Sequence, residues 1–477
     1  MLSLKQLLYC SLAGGIRLIL MNSQLQKIIS DRVEISTALN SWKRGMIFQF
    51  ICQITIKYFF FFYKELIKYI YISVTEGVHL HNFGIDPYSG DLFHETPIGL
   101  VFFTWILRYL SFWSLRILFI VADLLTSWFL FQTARHYVKE VEKREKEEAK
   151  KIKKPAEELY TPLSKNSTEE LSYTPISKTA TSSVFYVPAA YLFNPYIVLN
   201  CVALTTTVFT NLLTSLALCF MIKKHKFATC LIISLLTLQN LYPASLIVAA
   251  TIFVAKDAKT NRETVKVILT MVTLFLTILS LFIYLSYHIM GNWNFIKNTM
   301  GFILIVPDLR PNIGLYWYFF TEMFEHFRGL FIASFQINVG LLYVVPLALR
   351  LRNDPMLLSF AYLAIIAIFK SYPSLGDVGF YIALLPMWQH LFRHTQQGFI
   401  VGCFMLFCTV FAPTVWHQWI YSCSANANFY FGVTLAFAIA QIFLLTDVLF
   451  ASVKRELALK SGIQNEINGN NAKLVLE

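Results

Sequence analysis

Residues 256–290 read KDAKTNRETVKVILTMVTLFLTILSLFIYLSYHIM. The first part carries Lys256, Lys259, Arg262 and Lys266; after Lys266 no Asp, Glu, Lys or Arg follows to the end of the stretch. An apolar run longer than the ~20 residues needed to cross a bilayer, preceded by a basic cluster, reads as a transmembrane helix with its basic end in the cytosol. Working outward, further apolar stretches cover roughly 5–21, 98–134, 184–203, 204–222, 228–241, 242–256, 329–349, 356–371, 376–391, 398–415 and 429–452, which makes twelve with 264–290. Several are short, and Pro188, Pro195 and Pro243 interrupt others. Short, Pro-broken segments suit buried, tilted helices of a large bundle. Stretches 98–134 and 315–349 exceed one crossing, so each is expected to join an interfacial helix to a spanning one. No small-residue cleavage site follows residues 5–21, which therefore read as a signal anchor.

The composition agrees. Of 477 residues, 56% are hydrophobic and 14% charged, whereas soluble domains carry about 45–50% apolar and about 25% charged residues. The formal net charge is +12, from 40 Lys+Arg against 28 Asp+Glu. The basic clusters are Arg135 to Lys154, Lys223-Lys224-His225-Lys226, Lys256 to Arg262, Arg350-Leu351-Arg352 and Lys454-Arg455. Twelve crossings counted from a cytosolic N-terminus put all of them, and both termini, in the cytosol. The opposite face collects 23–97, 292–314, 372–375 and 416–428, rich in Pro, Asn, Trp, Tyr and Asp. Charge so distributed disfavours nucleic acid as a partner, because that would need the cations on one soluble face. The expectation is an all-α polytopic membrane protein, residues 1–477 forming a single membrane domain.

Two segments stand apart. Residues 136–183 read as a cytosolic linker: Lys and Glu alternate at helical spacing from Tyr137 to Glu158, and a Ser/Thr/Pro-rich, disordered half follows. The sequon Asn166-Ser167-Thr168 lies there and, facing the cytosol, stays unglycosylated. In 45–74, twenty of thirty residues are Phe, Tyr, Ile or Lys, including Phe59-Phe60-Phe61-Phe62. A crossing here would move every later basic loop to the wrong side, so 45–74 is not expected to span. Two origins remain open for this atypical insertion: a basic, aromatic interfacial helix, or translated A/T-rich noncoding sequence.

No Gly-rich phosphate loop, nucleophile elbow or HExxH is present. The eight cysteines form no CxxC pair and no zinc spacing; neither metal nor cofactor is expected. Cys423 is a thiol in a non-cytosolic loop. The informative runs are Asp86-Pro87-Tyr88-Ser89-Gly90-Asp91-Leu92-Phe93-His94-Glu95-Thr96-Pro97, Val306 to Phe320, Phe369-Lys370-Ser371-Tyr372-Pro373-Ser374-Leu375-Gly376-Asp377-Val378 and Ser422 to Tyr430. With Ser41-Trp42-Lys43-Arg44, Glu322 to Phe327 and Phe335 to Val339, these runs resemble the PIG-U family, subunits of the glycosylphosphatidylinositol (GPI) transamidase. The resemblance spans nearly the whole chain except 45–74 and 136–183. It implies a GT-C-like architecture in the endoplasmic-reticulum membrane and a non-catalytic subunit of a complex that attaches GPI anchors to proprotein C-termini. The implied partners are the other transamidase subunits, the GPI glycolipid and membrane lipids.

A more distant resemblance, to GPI mannosyltransferases of the GT-C class, supplies the alternative: sugar transfer from a dolichol-phosphate donor. Such an enzyme needs a carboxylate base in its first luminal loop. Asp31 and Glu34 are the pair to consider, although an N-cap Asp and a surface Glu is the plainer reading. A secondary transporter is a third class, but no internal repeat supports it.

Candidate lipid contacts follow from placement. Lys370 and Asp377 are ionisable groups at the ends of apolar segments; Ser371, Tyr372 and Pro373 break the helix between them, and freed backbone groups suit the wall of a polar cavity. The plainer reading is a kink with a locally paired Lys–Asp. Asn426 and Asn428 can offer amides to sugar or phosphate; the plainer reading has Asn428 capping the last helix. The resemblance implies that this region recognises the GPI lipid. Trp317, Tyr318 and Phe319 form an aromatic strip, either an interfacial belt or a stacking platform. Asp86, Pro87, Tyr88, Gly90, His94 and Glu95 read as structural residues of a luminal turn.

If 45–74 is noncoding in origin, deleting it leaves assembly and surface display of GPI-anchored proteins unchanged. Loss of either marks it as a working part.

Overall fold

The computed structural model describes residues 4–40, 73–90, 92–151, 176–392, 394–461, 466–467 and 470–471. It is helical throughout, apart from a two-residue antiparallel pairing of Glu466-Ile467 with Asn470-Asn471. All twelve apolar stretches fall on helices. Among the described residues, five helices are long and apolar enough to cross a membrane: Trp113–Val141, Asn261–Met290, Glu325–Arg350, Gly398–Ile420 and Ala427–Glu456. The pair Val184–Leu192 and Pro195–Val202, bent by 46°, makes a sixth if it is one span. Pro97–Tyr109, Thr207–Ile222, Lys226–Gln239, Tyr242–Ala255 and Pro355–Phe369 are apolar but shorter. Helix length therefore supports five or six spans.

The long stretches divide as expected. Residues 98–134 break at Leu110 into Pro97–Tyr109 and Phe112–Lys151. Residues 315–349 break into Tyr316–Thr321, Glu325–Ile337 and Val344–Arg350, the last two joined by the π-turn Asn338–Leu342. Parts of the 136–183 segment are helical. The preceding helix runs on to Lys151, and the next begins at Ile176, inside the half expected to be disordered. Of 45–74, residues 45–72 lie outside the described residues, while Ser73 and Val74 open the helix Ser73–Asn82.

Local chemistry sets the boundaries. Thr96 caps Pro97–Tyr109 by accepting from Gly99 N at 3.1 Å, and Asp354 caps Pro355–Phe369 by accepting from Leu357 N at 3.2 Å; in both, Pro fills the first helical position, where an N–H has no partner anyway. Thr260 accepts from Glu263 N at 3.2 Å, while Glu263 Oε2 accepts from Lys259 N at 2.8 Å. Gly291, at φ +71°, ends that helix in the left-handed conformation.

The described residues group into two compact units: Met1–Leu130 with Tyr191–Ile382, and Phe131–Ala190 with Ala383–Glu477. The first contains a buried charge pair that hydropathy does not reveal. Arg17 donates from Nε to Asp123 Oδ2 at 2.8 Å, with both side chains at most 1% exposed. Arg17 Nη1 donates to the carbonyls of Ala13 and Leu192, and the Tyr191 hydroxyl donates to Asp123 Oδ1 at 2.7 Å. Three apolar helices are thereby tied at one point. In this unit Pro355–Phe369 is buried nearly all round, whereas only 17% of the most apolar window of Asn261–Met290 is buried, so most of that apolar helix is left exposed.

In the second unit, Gly398–Ile420 packs against Ala427–Ser461 as a helical hairpin. Asp447 of the second helix accepts from Gln396 N at 2.9 Å and Gln397 N at 3.0 Å, neutralising the N-terminus of the first. Trp388 Nε1 donates to the Tyr137 hydroxyl at 3.0 Å.

Asp123→Leu strands the Arg17 guanidinium and is expected to cost about 3–5 kcal/mol. Thermal unfolding of the solubilised protein checks this, and Arg17→Leu/Asp123→Leu should recover most of the loss.

Candidate functional site: a groove with an amide mouth

Asn426 and Asn428 lie at the turn between Gly398–Ile420 and Ala427–Ser461. Asn426 Oδ1 accepts from Asn428 N at 3.1 Å and Phe429 N at 3.4 Å. Asn426, not Asn428, is thus the capping residue. Its NH2 group and the whole Asn428 amide make no further hydrogen bond among the described residues, and both side chains are exposed.

Below this mouth runs a groove of about 570 Å³ lined by Phe407, Cys408, Phe411, Phe429, Gly432 and Val433. The spacings 407/411 and 429/432/433 put each set on one helix face. Gly432 has open space where a Cβ would stand, so the groove is wide there. The volume falls within the ~300–1,000 Å³ of ligand pockets. An apolar chain already in a bilayer gains no hydrophobic free energy by entering, because lipid tails are as apolar as the lining. Selection therefore falls to shape and to the amides, which offer both donors and acceptors.

The 370–377 segment belongs to the first unit and is internally satisfied. Lys370 Nζ pairs with Asp377 Oδ2 at 2.5 Å, and the same oxygen accepts from Ser374 N at 2.8 Å and Ser374 Oγ at 3.0 Å. Asp377 thereby closes a capping box on Leu375–Leu384. Ser371 Oγ donates to the Ile303 carbonyl at 2.9 Å, and Ser371 N donates to the Tyr242 hydroxyl at 3.1 Å. Tyr372 stacks on Phe302 at 5.0 Å. Pro373 packs so closely on Gly314 that an added Cβ would lie 2.7 Å from it, and a Cβ on Gly376 would lie 2.6 Å from Asn200. The geometry matches the plainer reading, a kink with a paired Lys–Asp.

The 86–97 turn is held as tightly. Asp86 Oδ1 accepts from Tyr88 N at 3.0 Å, and Oδ2 accepts from Asn292 and Asn294. Pro87 is buried, Gly90 closes the single 3₁₀ turn, and the Tyr88 hydroxyl donates to the Glu95 carbonyl at 2.7 Å. His94 stacks on Phe302 at 3.6 Å, so Phe302 joins this turn to Tyr372. The Glu95 carboxyl is buried, and desolvation pushes it up to about 7 despite hydrogen bonds from Thr206 and Gln239. The aromatic strip is not a uniform belt. Trp317 packs inward with Tyr316 and Phe320, whereas Phe319 stays 39% exposed. Their i, i+4 spacing divides the strip between two faces. Of the acidic pair, Glu34 is buried and its carbonyl accepts from Leu375 N at 3.0 Å.

Sequence reading missed the phenylalanines of the groove, although Phe407 and Phe411 stand at helical spacing. It also missed Gln239 and Thr206, which touch Glu95 through the fold alone.

Comparison with known proteins adds the following. The family model described as GPI transamidase subunit PIG-U matches residues 69–437. GPI-anchor transamidase component PIGU of Homo sapiens is 35% identical, over 98% of this chain and 98% of that protein; the Mus musculus protein gives the same figures. GPI transamidase component GAB1 of Saccharomyces cerevisiae is 31% identical over 58% of this chain and 68% of its own.

Burial makes the folded chain hold the Glu95 proton more tightly than the unfolded chain does. Stability is therefore lost as pH rises from about 4.5 to about 7 and is level above. Glu95→Gln removes that slope. The variant is expected to gain about 3 kcal/mol relative to the parent at pH 8 compared with pH 4, read as unfolding midpoints of the solubilised protein at both pH values.

Proposed function

The chain belongs to the PIG-U family of GPI transamidase subunits, and we propose that it acts as a non-catalytic subunit that binds the GPI lipid and presents it for attachment to proprotein C-termini. The observation that carries this reading is the apolar groove ending in the Asn426 and Asn428 amides. An acyl or alkyl chain lies along Phe407, Phe411 and Phe429, and the amides meet the phosphate or glycan end. Holding the ethanolamine end in one place converts a two-body encounter into a positioned one, which alone lowers the barrier considerably.

Within the first unit, the 370–377 break, with Lys370, Ser371, Tyr372, Pro373 and Asp377, and the strip Trp317 to Phe319 act as rigid structural elements rather than as part of this groove. The chain works in the endoplasmic-reticulum membrane beside the other transamidase subunits, both termini in the cytosol. The short buried helices and the Leu4–Asn22 anchor complete about twelve passages in a GT-C-like arrangement.

The test is rescue of cells lacking the endogenous chain. Gly432→Phe, which fills the groove, should abolish surface display of GPI-anchored proteins while the complex still co-purifies. Asn428→Leu should lower display roughly two- to tenfold, the worth of one hydrogen bond. Unchanged display for both, with the complex intact, overturns lipid presentation at this groove.

A further inference from the structure

At one end of the first unit, three loops are drawn together by two lysines. Lys224 Nζ reaches both oxygens of Asp257 at 2.6 Å, and Lys256 Nζ donates to the Asn353 carbonyl at 2.6 Å. Loops 223–226, 256–266 and 350–354 thus share one surface. They hold nine cations, Lys223, Lys224, Lys226, Lys256, Lys259, Arg262, Lys266, Arg350 and Arg352, against three carboxylates. The difference, 9 − 3 = +6, is half of the chain's formal excess of +12.

Each carboxylate is already engaged. Asp257 holds Lys224; Glu263 accepts from Lys259 N, and Asp354 caps the helix that follows it. Lys223, Lys226, Lys259, Arg262, Lys266 and Arg352 make no side-chain ion pair or hydrogen bond among the described residues, and all but Lys223 are exposed. The backbone even accepts strain here, because Lys224 occupies the left-handed region at φ +60°, which disfavours any residue with a Cβ. Its double contact with Asp257 ties this turn to the 256–266 loop.

Topology alone accounts for the sign of these charges. It does not account for their being gathered and left uncompensated on a braced surface. The apolar residues beside them fix the depth: Phe227 is 61% exposed next to Lys226, Leu349 is 70% exposed next to Arg350, and Val265 is 62% exposed next to Lys266. Such residues belong in acyl chains, so the cations stand at the level of lipid headgroups. We propose that this surface is a binding site for anionic phospholipid headgroups, the phosphate lying among Lys223, Lys226 and Arg352. Clusters of four to eight Lys/Arg at the end of a spanning helix have the charge density for it.

The experiment uses the complex purified in detergent and titrated with short-chain phosphatidylinositol or phosphatidylcholine, with bound lipid counted by native mass spectrometry. Phosphatidylinositol should bind preferentially and be released as salt rises. Lys223→Gln/Lys226→Gln/Arg352→Gln should weaken it roughly a hundredfold, about fivefold per cation, without changing phosphatidylcholine binding. Lys223→Arg/Lys226→Arg/Arg352→Lys should retain it. Equal binding of the two lipids, insensitivity to salt, or unchanged binding in the neutral variant overturns the proposal. So does cross-linking that carries Lys223 and Lys226 to an acidic segment of another subunit in place of lipid. Should the neutral variant fail to assemble, the salt titration of the parent decides.

Discussion

A charge inside an apolar bundle must find its counter-charge. Desolvating one ion costs several kcal/mol, and only close, hydrogen-bonded pairing returns it. Arg17 and Asp123 meet that demand. Because Tyr191 and the Leu192 carbonyl complete the shell, the pair also fixes how Leu4–Asn22, Phe112–Lys151 and Ile176–Leu192 meet. Lys370 with Asp377 obeys the same constraint at the end of a buried helix. Asp447 obeys it by lying against the amides that open Gly398–Ile420. These groups are interior joints.

Hydrophobic burial cannot assemble such helices in lipid, since the surroundings are equally apolar. Close packing and satisfied polar groups must do so. Gly77 lets Phe93 approach to where a Cβ would lie 2.2 Å from its ring, and Gly379 does the same for Ile197 at 2.9 Å. Hydroxyls on lipid-facing helices return to their own backbone, as Thr270, Thr273 and Thr277 do on Asn261–Met290. The Tyr242 hydroxyl joins Gln336 and Ser371 across elements far apart in sequence.

Helix positions were legible from hydropathy because the period and length of an apolar run are local properties. The division of 98–134 was legible from its length, though not its position at Leu110, and the break within 370–374 was legible from Ser371, Tyr372 and Pro373. The number of full crossings was less so: Pro355–Phe369 and Asn261–Met290 are both strongly apolar, yet one is buried nearly all round and the other is largely exposed. The candidate site was half legible. Asn426 and Asn428 stood out as polar residues beside an apolar run, but their groove needs Phe407 and Phe411 from the preceding helix. Arg17 and Asp123 were hidden because they lie in apolar runs far apart in sequence, and their meeting is decided by the fold.

The spacing of that pair sets a timetable for biosynthesis. Arg17 is made before its partner, since Asp123 is 106 residues further on. At ribosomal speeds of ~5–20 residues per second, the guanidinium waits roughly 5–20 s for its partner. During that interval the Leu4–Asn22 helix carries an unpaired guanidinium, a cost of a few kcal/mol inside a bilayer, until the Phe112–Lys151 helix arrives.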